Sequence, residues 1–207
     1  KVYDPSVSLR QKDRDTDEIY ISYSTPKTQN RTYLYNIKTK EKKLVKEQII
    51  PSGHEPNDYI VERLECPSHD GRVVPITITR HKNTPIDGSA ELLLYGYGSY
   101  GHSMSPTFSS TRLSLIKRNI IWATAHIRGG MERGMKWWKE GKLLNKKNTF
   151  KDYIACAKFL IEKKYTSKKK IIGMGGSAGG LLMGVVVNEE PDLFLGVIMA
   201  VPFVDSL

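Results

Sequence analysis

The chain has few cysteines and no long apolar run, and each absence excludes a class of protein. Its 207 residues include only Cys66 and Cys156, with no Cys-x-x-Cys spacing, which excludes a disulfide scaffold and a zinc knuckle. The longest nearly unbroken apolar stretch, residues 193–204, is shorter than the ~18 to 20 residues of a membrane span. We therefore expect no membrane association, no bound metal and a reducing, cytoplasmic location.

A module that reads nucleic acid is also missing, although the chain is basic. Its 32 lysines and arginines exceed its 22 aspartates and glutamates, which gives a net charge of +10. The surplus is spread over short clusters, for example in residues 136–142, 145–148 and 162–170. We interpret these clusters as solvated faces and expect no nucleic-acid partner. The chain begins with Lys and polar residues, so no secretory signal is recognisable.

Residues 1–58 are typical of β structure. Short alternating segments lie at 18–24, 31–37 and 42–48, separated by turn residues, and each predicts a strand. Three such strands make one blade of a β-propeller or a small meander, and a single blade cannot bury both of its faces alone.

Residues 59–207 predict a different architecture. The dipeptide Asp70-Gly71 separates two alternating segments within residues 59–82, which predicts a β-hairpin. After it come four short apolar runs that are typical of buried parallel strands. They lie at 91–97, 119–127, 169–175 and 195–201.

A helix is predicted between the second and third of these runs. Apolar residues recur at three- and four-residue spacing over 149–164, and Thr149 with Asp152 resembles a capping box at its start. The alternation of strand and helix predicts right-handed βαβ units, hence an α/β fold.

A glycine-rich segment carries the chemical signal of the sequence. Residues 175–180 read GGSAGG, directly after a predicted strand and before a helix-like stretch, which is the context of a nucleophile elbow. Glycines flank Ser177 because the serine of such an elbow has a strained backbone and needs small neighbours. The N–H of Ala178 would then point toward a developing oxyanion. The alternative is a turn that only packs or binds phosphate. Since the segment matches neither nucleotide-binding glycine pattern, we expect no cofactor.

No histidine follows Ser177. A serine nucleophile needs a general base, ordinarily a histidine oriented by a carboxylate, and the α/β-hydrolase order is Ser, then Asp or Glu, then His. All five histidines precede Ser177, and only four acidic residues follow it. We expect either an upstream histidine in a non-standard arrangement, or a fragment whose triad Asp and His lie beyond Leu207.

Four ordered blocks of sequence resemble the prolyl oligopeptidase family of serine peptidases, and within it the oligopeptidase B branch. The blocks are LLLYGYGSYG (92–101), AHIRGGMERG (125–134), GGSAGG (175–180) and PDLFLGVIMAVPFVD (191–205). The resemblance implies a C-terminal α/β-hydrolase domain preceded by a β-propeller. Residues 1–58 would then be a remnant of the last propeller blade. Residues 59–207 would be the first part of the catalytic domain, truncated after the nucleophile helix and the next strand.

The same resemblance implies the roles of single residues in catalysis. Ser177 would be the nucleophile, and the Tyr97 hydroxyl would join the Ala178 N–H in an oxyanion hole. Phe203 would border the active cleft. The activity implied is cleavage of short peptides after Lys or Arg through an acyl-enzyme at Ser177.

Specificity would rest on Glu132, whose carboxylate would meet the substrate cation. Tyr100 would line the same pocket. The alternative for Glu132 is a surface acid paired with Arg128 or Arg133. The oligopeptidase B branch usually has acidic residues just beyond this tyrosine, whereas this chain reads HSMSPT (102–107). We therefore expect a weaker preference for paired basic residues.

Two other functions stay open on the sequence alone. The chain is alternatively an inactive fragment or split-gene product that needs a partner chain, with association through an exposed sheet edge. An esterase or aminopeptidase of the same superfamily is the third interpretation, and it would be indifferent to the charge of Glu132.

Overall fold

The computed structural model describes residues 6–11, 13 and 15–204. In this part of the chain, the first four strands form an antiparallel sheet in the order β1-β2-β3-β4. The strands are β1 (Ser6–Gln11), β2 (Glu18–Thr25), β3 (Thr28–Asn36) and β4 (Lys42–Glu47). The three predicted strands are therefore confirmed. The first strand was not predicted, because its residues continue a polar terminus.

A six-stranded mixed sheet follows, in the order β10-β9-β7-β8-β6-β5. Its strands are β5 (Tyr59–Pro67), β6 (Val73–His81), β7 (Leu92–Tyr95), β8 (Ile121–Ala125), β9 (Ile171–Gly176) and β10 (Phe194–Ala200). The first two strands form the hairpin predicted at Asp70-Gly71. The last four in sequence pair in parallel wherever they are neighbours, as their apolar runs predict.

Helices cover both faces of this sheet. They are α1 (Ser110–Ile116), α2 (Met135–Lys139), α3 (Lys147–Glu162) and α4 (Ala178–Glu189). Buried side chains of α3 and α4 pack in the larger apolar cluster, and those of α1 pack in a smaller cluster with strand residues such as Leu93 and Trp122. The predicted α/β architecture is confirmed.

The predicted capping box at the start of α3 is wrong. The helix begins at Lys147, and Lys146 precedes it without a side-chain cap. The Thr149 hydroxyl instead donates to the Arg128 carbonyl at 2.8 Å, and Asp152 is fully buried. Both polar side chains thus point into the domain, where they bind the segment that follows β8.

A buried ion triad joins three distant segments. The Arg128 guanidinium, 1% exposed, donates from Nε and Nη2 to the Asp152 carboxylate at 2.8 and 2.7 Å, and from Nη1 to Asp70 at 2.6 Å. Burial alone would lower the pKa of Arg128, but the hydrogen bonds to Asp152 and Asp70 outweigh it and raise that pKa. The triad thereby fastens the β5–β6 turn and the post-β8 loop to α3.

The described ranges contain neither a membrane-spanning helix nor a cluster of metal-ligating side chains. No helix within them is long and apolar enough to cross a bilayer, and no group of three or more His, Cys, Asp or Glu side chains is arranged to hold a metal ion. Cys66 and Cys156 are both buried free thiols, and they fill space in the larger apolar cluster.

The ion triad yields a stability prediction. The variant Asp152→Asn should lower the free energy of unfolding by about 3–5 kcal/mol, because it leaves the buried Arg128 charge without its main partner. Urea denaturation of the chain measures this change. The matched control is Asp192→Asn, since Asp192 is 78% exposed and lies 3.5 Å from Lys169. That control should cost less than about 1 kcal/mol, and equal losses in the two variants would contradict the role of the triad.

Candidate active site

The two predicted catalytic segments meet where the strand order of the sheet reverses. From β7 the chain moves to β8 on one side and then to β9 on the other side of β7, and clefts form at the carboxyl ends of strands at such a switch point. Tyr97 follows β7 and Ser177 follows β9 directly. A Cβ atom built on Gly179, two residues after Ser177, would lie 3.4 Å from the Tyr97 ring. The topology therefore brings the Tyr97 segment against the start of α4.

Ser177 has the geometry of a nucleophile elbow. It lies between β9 and α4 with φ 53° and ψ −117°, a strained combination for a residue with a side chain. The backbone is held by three hydrogen bonds. The Ser177 N–H donates to the Ala200 carbonyl at 2.9 Å, and the Ser177 carbonyl accepts from Gly180 at 2.8 Å and from Phe203 at 3.1 Å. Ser177 is exposed although residues 178–180 are all buried.

The glycines around Ser177 are explained by close backbone contacts. A Cβ atom on Gly175 would lie 2.2 Å from the Gly179 carbonyl oxygen, and one on Gly180 would lie 2.5 Å from the Pro202 Cα. Neither position has room for a side chain. The strand and helix can therefore approach closely enough to leave Ser177 at the apex of the turn.

Two groups on the segments that meet at the elbow carry a hydrogen-bond donor. Ala178 is the first residue of α4, and N–H groups of the first helical turn have no acceptor within the helix. Tyr97 is half-buried, and its ring meets His102 edge-on with centroids 5.8 Å apart. This placement is compatible with the predicted oxyanion role of both residues, which stays a prediction.

Glu132 is buried beside a polar cavity. Its side chain is 8% exposed. One oxygen, Oε1, accepts the Met104 N–H at 2.9 Å, and Oε2 has no hydrogen-bond partner among the described residues. Arg128 pairs with the acids of the triad and Arg133 with Glu65 at 3.4 Å. The alternative that Glu132 is a surface acid paired with one of these arginines is therefore wrong.

The cavity at Glu132 has a volume of about 490 Å³. Its wall includes His126, Arg63 and the loop of residues 103–107. The His126 ring places Nε2 2.9 Å from both the Thr77 hydroxyl and the Arg63 guanidinium, and Nδ1 3.7 Å from Glu132 Oε1. Oε2 is itself closed to solvent and packs against Gly130, so a cationic group in the cavity would reach it only after the Glu132 side chain moved.

The other predicted residues occupy more open positions. Tyr100 is 77% exposed with φ 57° and is not among the residues that line the Glu132 cavity. Its predicted place in that pocket therefore stays a prediction. Phe203 is 51% exposed, and its backbone N–H binds the Ser177 carbonyl, which places it next to the elbow.

A general base for Ser177 is not found in the described part of the chain. The histidines there bind other groups or face solvent, and none has a hydrogen bond to Ser177. The exposed ring of His102 contacts the Tyr97 ring. An upstream histidine in a non-standard arrangement is thus without support from a hydrogen bond.

Sequence reasoning missed one residue that touches the candidate site. The Lys146 ammonium donates to the Gly98 carbonyl at 2.6 Å and to the Ser99 hydroxyl at 2.8 Å. Both acceptors belong to the turn directly after Tyr97. No pattern could have identified this lysine, because it lies in a run of basic residues that is typical of a solvated surface.

The amino-acid sequence is similar to those of known serine peptidases. The sequence profile of the prolyl oligopeptidase family matches residues 106–207. The chain is 44% identical to dipeptidyl aminopeptidase BI of Pseudoxanthomonas mexicana, over 92% of this chain and 26% of that protein. It is 41% identical to Protease 2 of Moraxella lacunata, over 95% of this chain and 29% of that protein. The chain thus spans between a quarter and a third of the length of these relatives.

Solved structures show the same similarity. Oligopeptidase B from Leishmania major superimposes with a TM-score of 0.89 at 37% identity, over 99% of this chain and 29% of that chain. Oligopeptidase B from Trypanosoma brucei with covalently bound antipain gives a TM-score of 0.88 at 36% identity, over 96% of this chain and 29% of that chain. Because sequence and structure are similar over nearly the whole length of the chain, it belongs to the prolyl oligopeptidase family.

Proposed function

We propose that the chain carries the nucleophile of a serine oligopeptidase. The observation that supports this most directly is the exposed Ser177 at a strained elbow where Gly175, Gly179 and Gly180 leave no room for side chains. The Ser177 Oγ attacks the scissile carbonyl while a base removes its proton, and the carbonyl oxygen becomes an oxyanion that Ala178 N–H and the Tyr97 hydroxyl stabilise. Loss of the amine leaves an acyl-enzyme, which water hydrolyses.

The general base and its orienting acid come, in this proposal, from sequence outside these 207 residues. Support comes from the order of the residues, since every histidine of the chain precedes Ser177, and from the absence of a histidine hydrogen bond to Ser177 in the described part. The relatives are three to four times as long as this chain. They therefore have ample sequence for both partners.

Specificity for Lys or Arg in short peptides is the second part of the proposal. A carboxylate buried with one unpaired oxygen is costly unless a donor joins it, and a guanidinium or ammonium from the substrate would supply that donor. Oligopeptidase B and Protease 2 are among the similar proteins. Tyr100 and Phe203 would contact the substrate at the open side of the cleft.

The four-stranded sheet fits the blade of a propeller. It is an antiparallel meander of four strands, and β4 is exposed along its whole length. A blade covered by neighbouring blades would bury such faces.

The free thiols of Cys66 and Cys156 are in keeping with a cytoplasmic location.

An inactive or partner-dependent chain is the second candidate, and the edge of the sheet favours it for the chain on its own. Among the described residues, β10 pairs only with β9. Exposed apolar side chains lie on and after β10, at Leu195, Ile198, Met199, Val201 and Phe203. Unpaired edges and apolar patches of this kind promote association.

The nucleophile is tested in the complete gene product that contains this chain. The variant Ser177→Ala should abolish turnover of Arg-containing chromogenic peptides and labelling by a fluorophosphonate, because no other hydroxyl is held at the elbow. The control Ser114→Ala removes an exposed serine of α1 and should leave both signals unchanged. Persistent labelling after Ser177→Ala would contradict the proposal.

A second measurement tests the source of the base. The purified 207-residue chain should turn over the same peptides several orders of magnitude more slowly than the complete gene product, because its serine lacks a base. Robust turnover by the isolated chain, lost on Ser177→Ala, would show instead that one of its own histidines serves.

Glu132→Gln tests specificity in the complete gene product. The substitution keeps the shape of the side chain and removes its charge. The ratio of kcat/KM for an Arg substrate to kcat/KM for a neutral one should therefore fall by an amount equivalent to about 2–5 kcal/mol. Glu91→Gln is the control, since Glu91 is exposed beside β7. An unchanged preference in Glu132→Gln would favour the esterase or aminopeptidase interpretation.

Light scattering tests the second candidate. The isolated chain should associate in a concentration-dependent way, because the β10 edge and its apolar neighbours are uncovered. A monodisperse monomer that unfolds cooperatively would count against a partner-dependent chain.

A further inference from the structure

Lys146 places a positive charge against the turn that carries Tyr97. Its Nζ donates to the Gly98 carbonyl at 2.6 Å and to the Ser99 hydroxyl at 2.8 Å. Hydrogen bonds from an ammonium are shorter and stronger than those between neutral groups. The contact therefore ties the residues directly after Tyr97 to the start of α3.

The turn after Tyr97 is tightly packed but has few backbone hydrogen bonds. A Cβ atom on Gly98 would lie 2.4 Å from the Thr149 side chain, and one on Gly129 would lie 1.9 Å from the Gly98 carbonyl oxygen. Gly98, Tyr100 and Gly101 all have positive φ, at 67°, 57° and 67°, so the backbone is in the left-handed region at three of four successive positions. Its described backbone hydrogen bonds are from Gly101 to the Gly129 carbonyl at 2.9 Å and from His102 to the Ser99 carbonyl at 3.0 Å. Packing therefore confines the turn, and the Lys146 ammonium adds two directional hydrogen bonds at Gly98 and Ser99.

The charge of Lys146 is costly where it lies. No carboxylate forms a salt bridge with it within residues 15–204, and it precedes the first residue of α3, where the helix dipole is unfavourable to a cation. Desolvation by burial lowers its pKa from 10.5 to about 8.

Because the pKa of Lys146 is lowered in the folded chain, the free energy of unfolding depends on pH. The folded chain binds fewer protons at Lys146 than the unfolded chain between about pH 8 and 10.5. The contribution of this residue to the free energy of unfolding therefore rises with pH across that interval and is lowest near neutrality. The ammonium still forms two hydrogen bonds to the turn, so the lowered pKa by itself does not make Lys146 a net cost to folding.

We propose that Lys146 is a positioning residue that fixes the turn after β7, and thereby the Tyr97 hydroxyl, for stabilisation of the oxyanion. The inference rests on the proposed function, because it requires that Tyr97 and Ser177 act in catalysis. Lys146 acts through Tyr97 and its turn, without contact to the substrate.

The test uses variants of the complete gene product. Lys146→Met keeps the length of the side chain and removes its charge and donors, so kcat should fall by about 10- to 100-fold with KM within about twofold of wild type. Lys146→Arg restores a charged donor and should recover most of the loss. Lys147→Met changes an exposed neighbour by the same charge and should match wild type.

Three readouts separate positioning from a merely structural role. The melting temperature of Lys146→Met should stay within about 4 °C of wild type, because loss of the two hydrogen bonds and removal of a desolvated charge act in opposite directions. In a Tyr97→Phe background, Lys146→Met should cost no more than about twofold in kcat, because both substitutions impair one group. The kcat of wild type should decline above about pH 8, as the ammonium of Lys146 is lost, and this decline should be absent in Lys146→Arg.

Different failures point to different errors. If Ser177→Ala or Tyr97→Phe leaves turnover unchanged, the proposed function is wrong. If both impair turnover but Lys146→Met equals Lys147→Met, the inference about Lys146 alone is overturned. A Lys146→Met variant that melts more than about 4 °C below wild type and loses activity in proportion, or that adds its full effect to Tyr97→Phe, would also overturn it.

Discussion

The site depends on a backbone approach between β9 and α4 that excludes side chains. The Gly179 carbonyl lies where a Cβ of Gly175 would stand, and Pro202 lies where a Cβ of Gly180 would stand. This approach makes the turn sharp enough to hold Ser177 at a positive φ with its side chain in solvent. An unstrained, longer connection would move the hydroxyl away from the first N–H of α4, where an oxyanion is stabilised.

One buried and two partly buried charged residues differ in how completely the fold compensates their charge. Arg128 is fully compensated, because two carboxylates occupy its donors, so it serves to join segments. Glu132 is only partly compensated, since a backbone N–H binds one of its oxygens. Lys146 has only neutral acceptors. Glu132 has only the His126 ring as an ion-pair partner, at 3.7 Å, and Lys146 has no carboxylate partner among the described residues. These two incompletely compensated charges lie beside the cavity and the Tyr97 turn, where such a charge can act on a substrate or on its transition state.

Local pattern predicted the elements that are locally determined. The hairpin at Asp70-Gly71, the parallel strands and the elbow at Ser177 follow from turn chemistry, apolar runs and glycine spacing. The first strand of the small sheet, α1 and α2 are not predicted, because segments of five to seven residues show too little periodicity and take their structure from their neighbours. The sequence pattern wrongly predicts Asp152 as a capping residue. Its position next to the apolar stripe of α3 could have indicated instead that the carboxylate is buried and paired with a distant cation. Lys146 could not be found, because its partners are 47 and 48 residues away.

The conformation of the Ser177 elbow depends on the edge strand β10. Two of the three hydrogen bonds that hold the Ser177 backbone join it to the edge strand. The Ala200 carbonyl, at the end of β10, accepts from the Ser177 N–H, and the Phe203 N–H just beyond the strand donates to the Ser177 carbonyl. Val201 between them has φ 43°, which is strained for a β-branched residue. Strain persists only where surrounding contacts over-determine it, and β10 is paired on one side alone among the described residues. A strand that paired with the outer edge of β10 would therefore also stiffen the turn that presents Ser177.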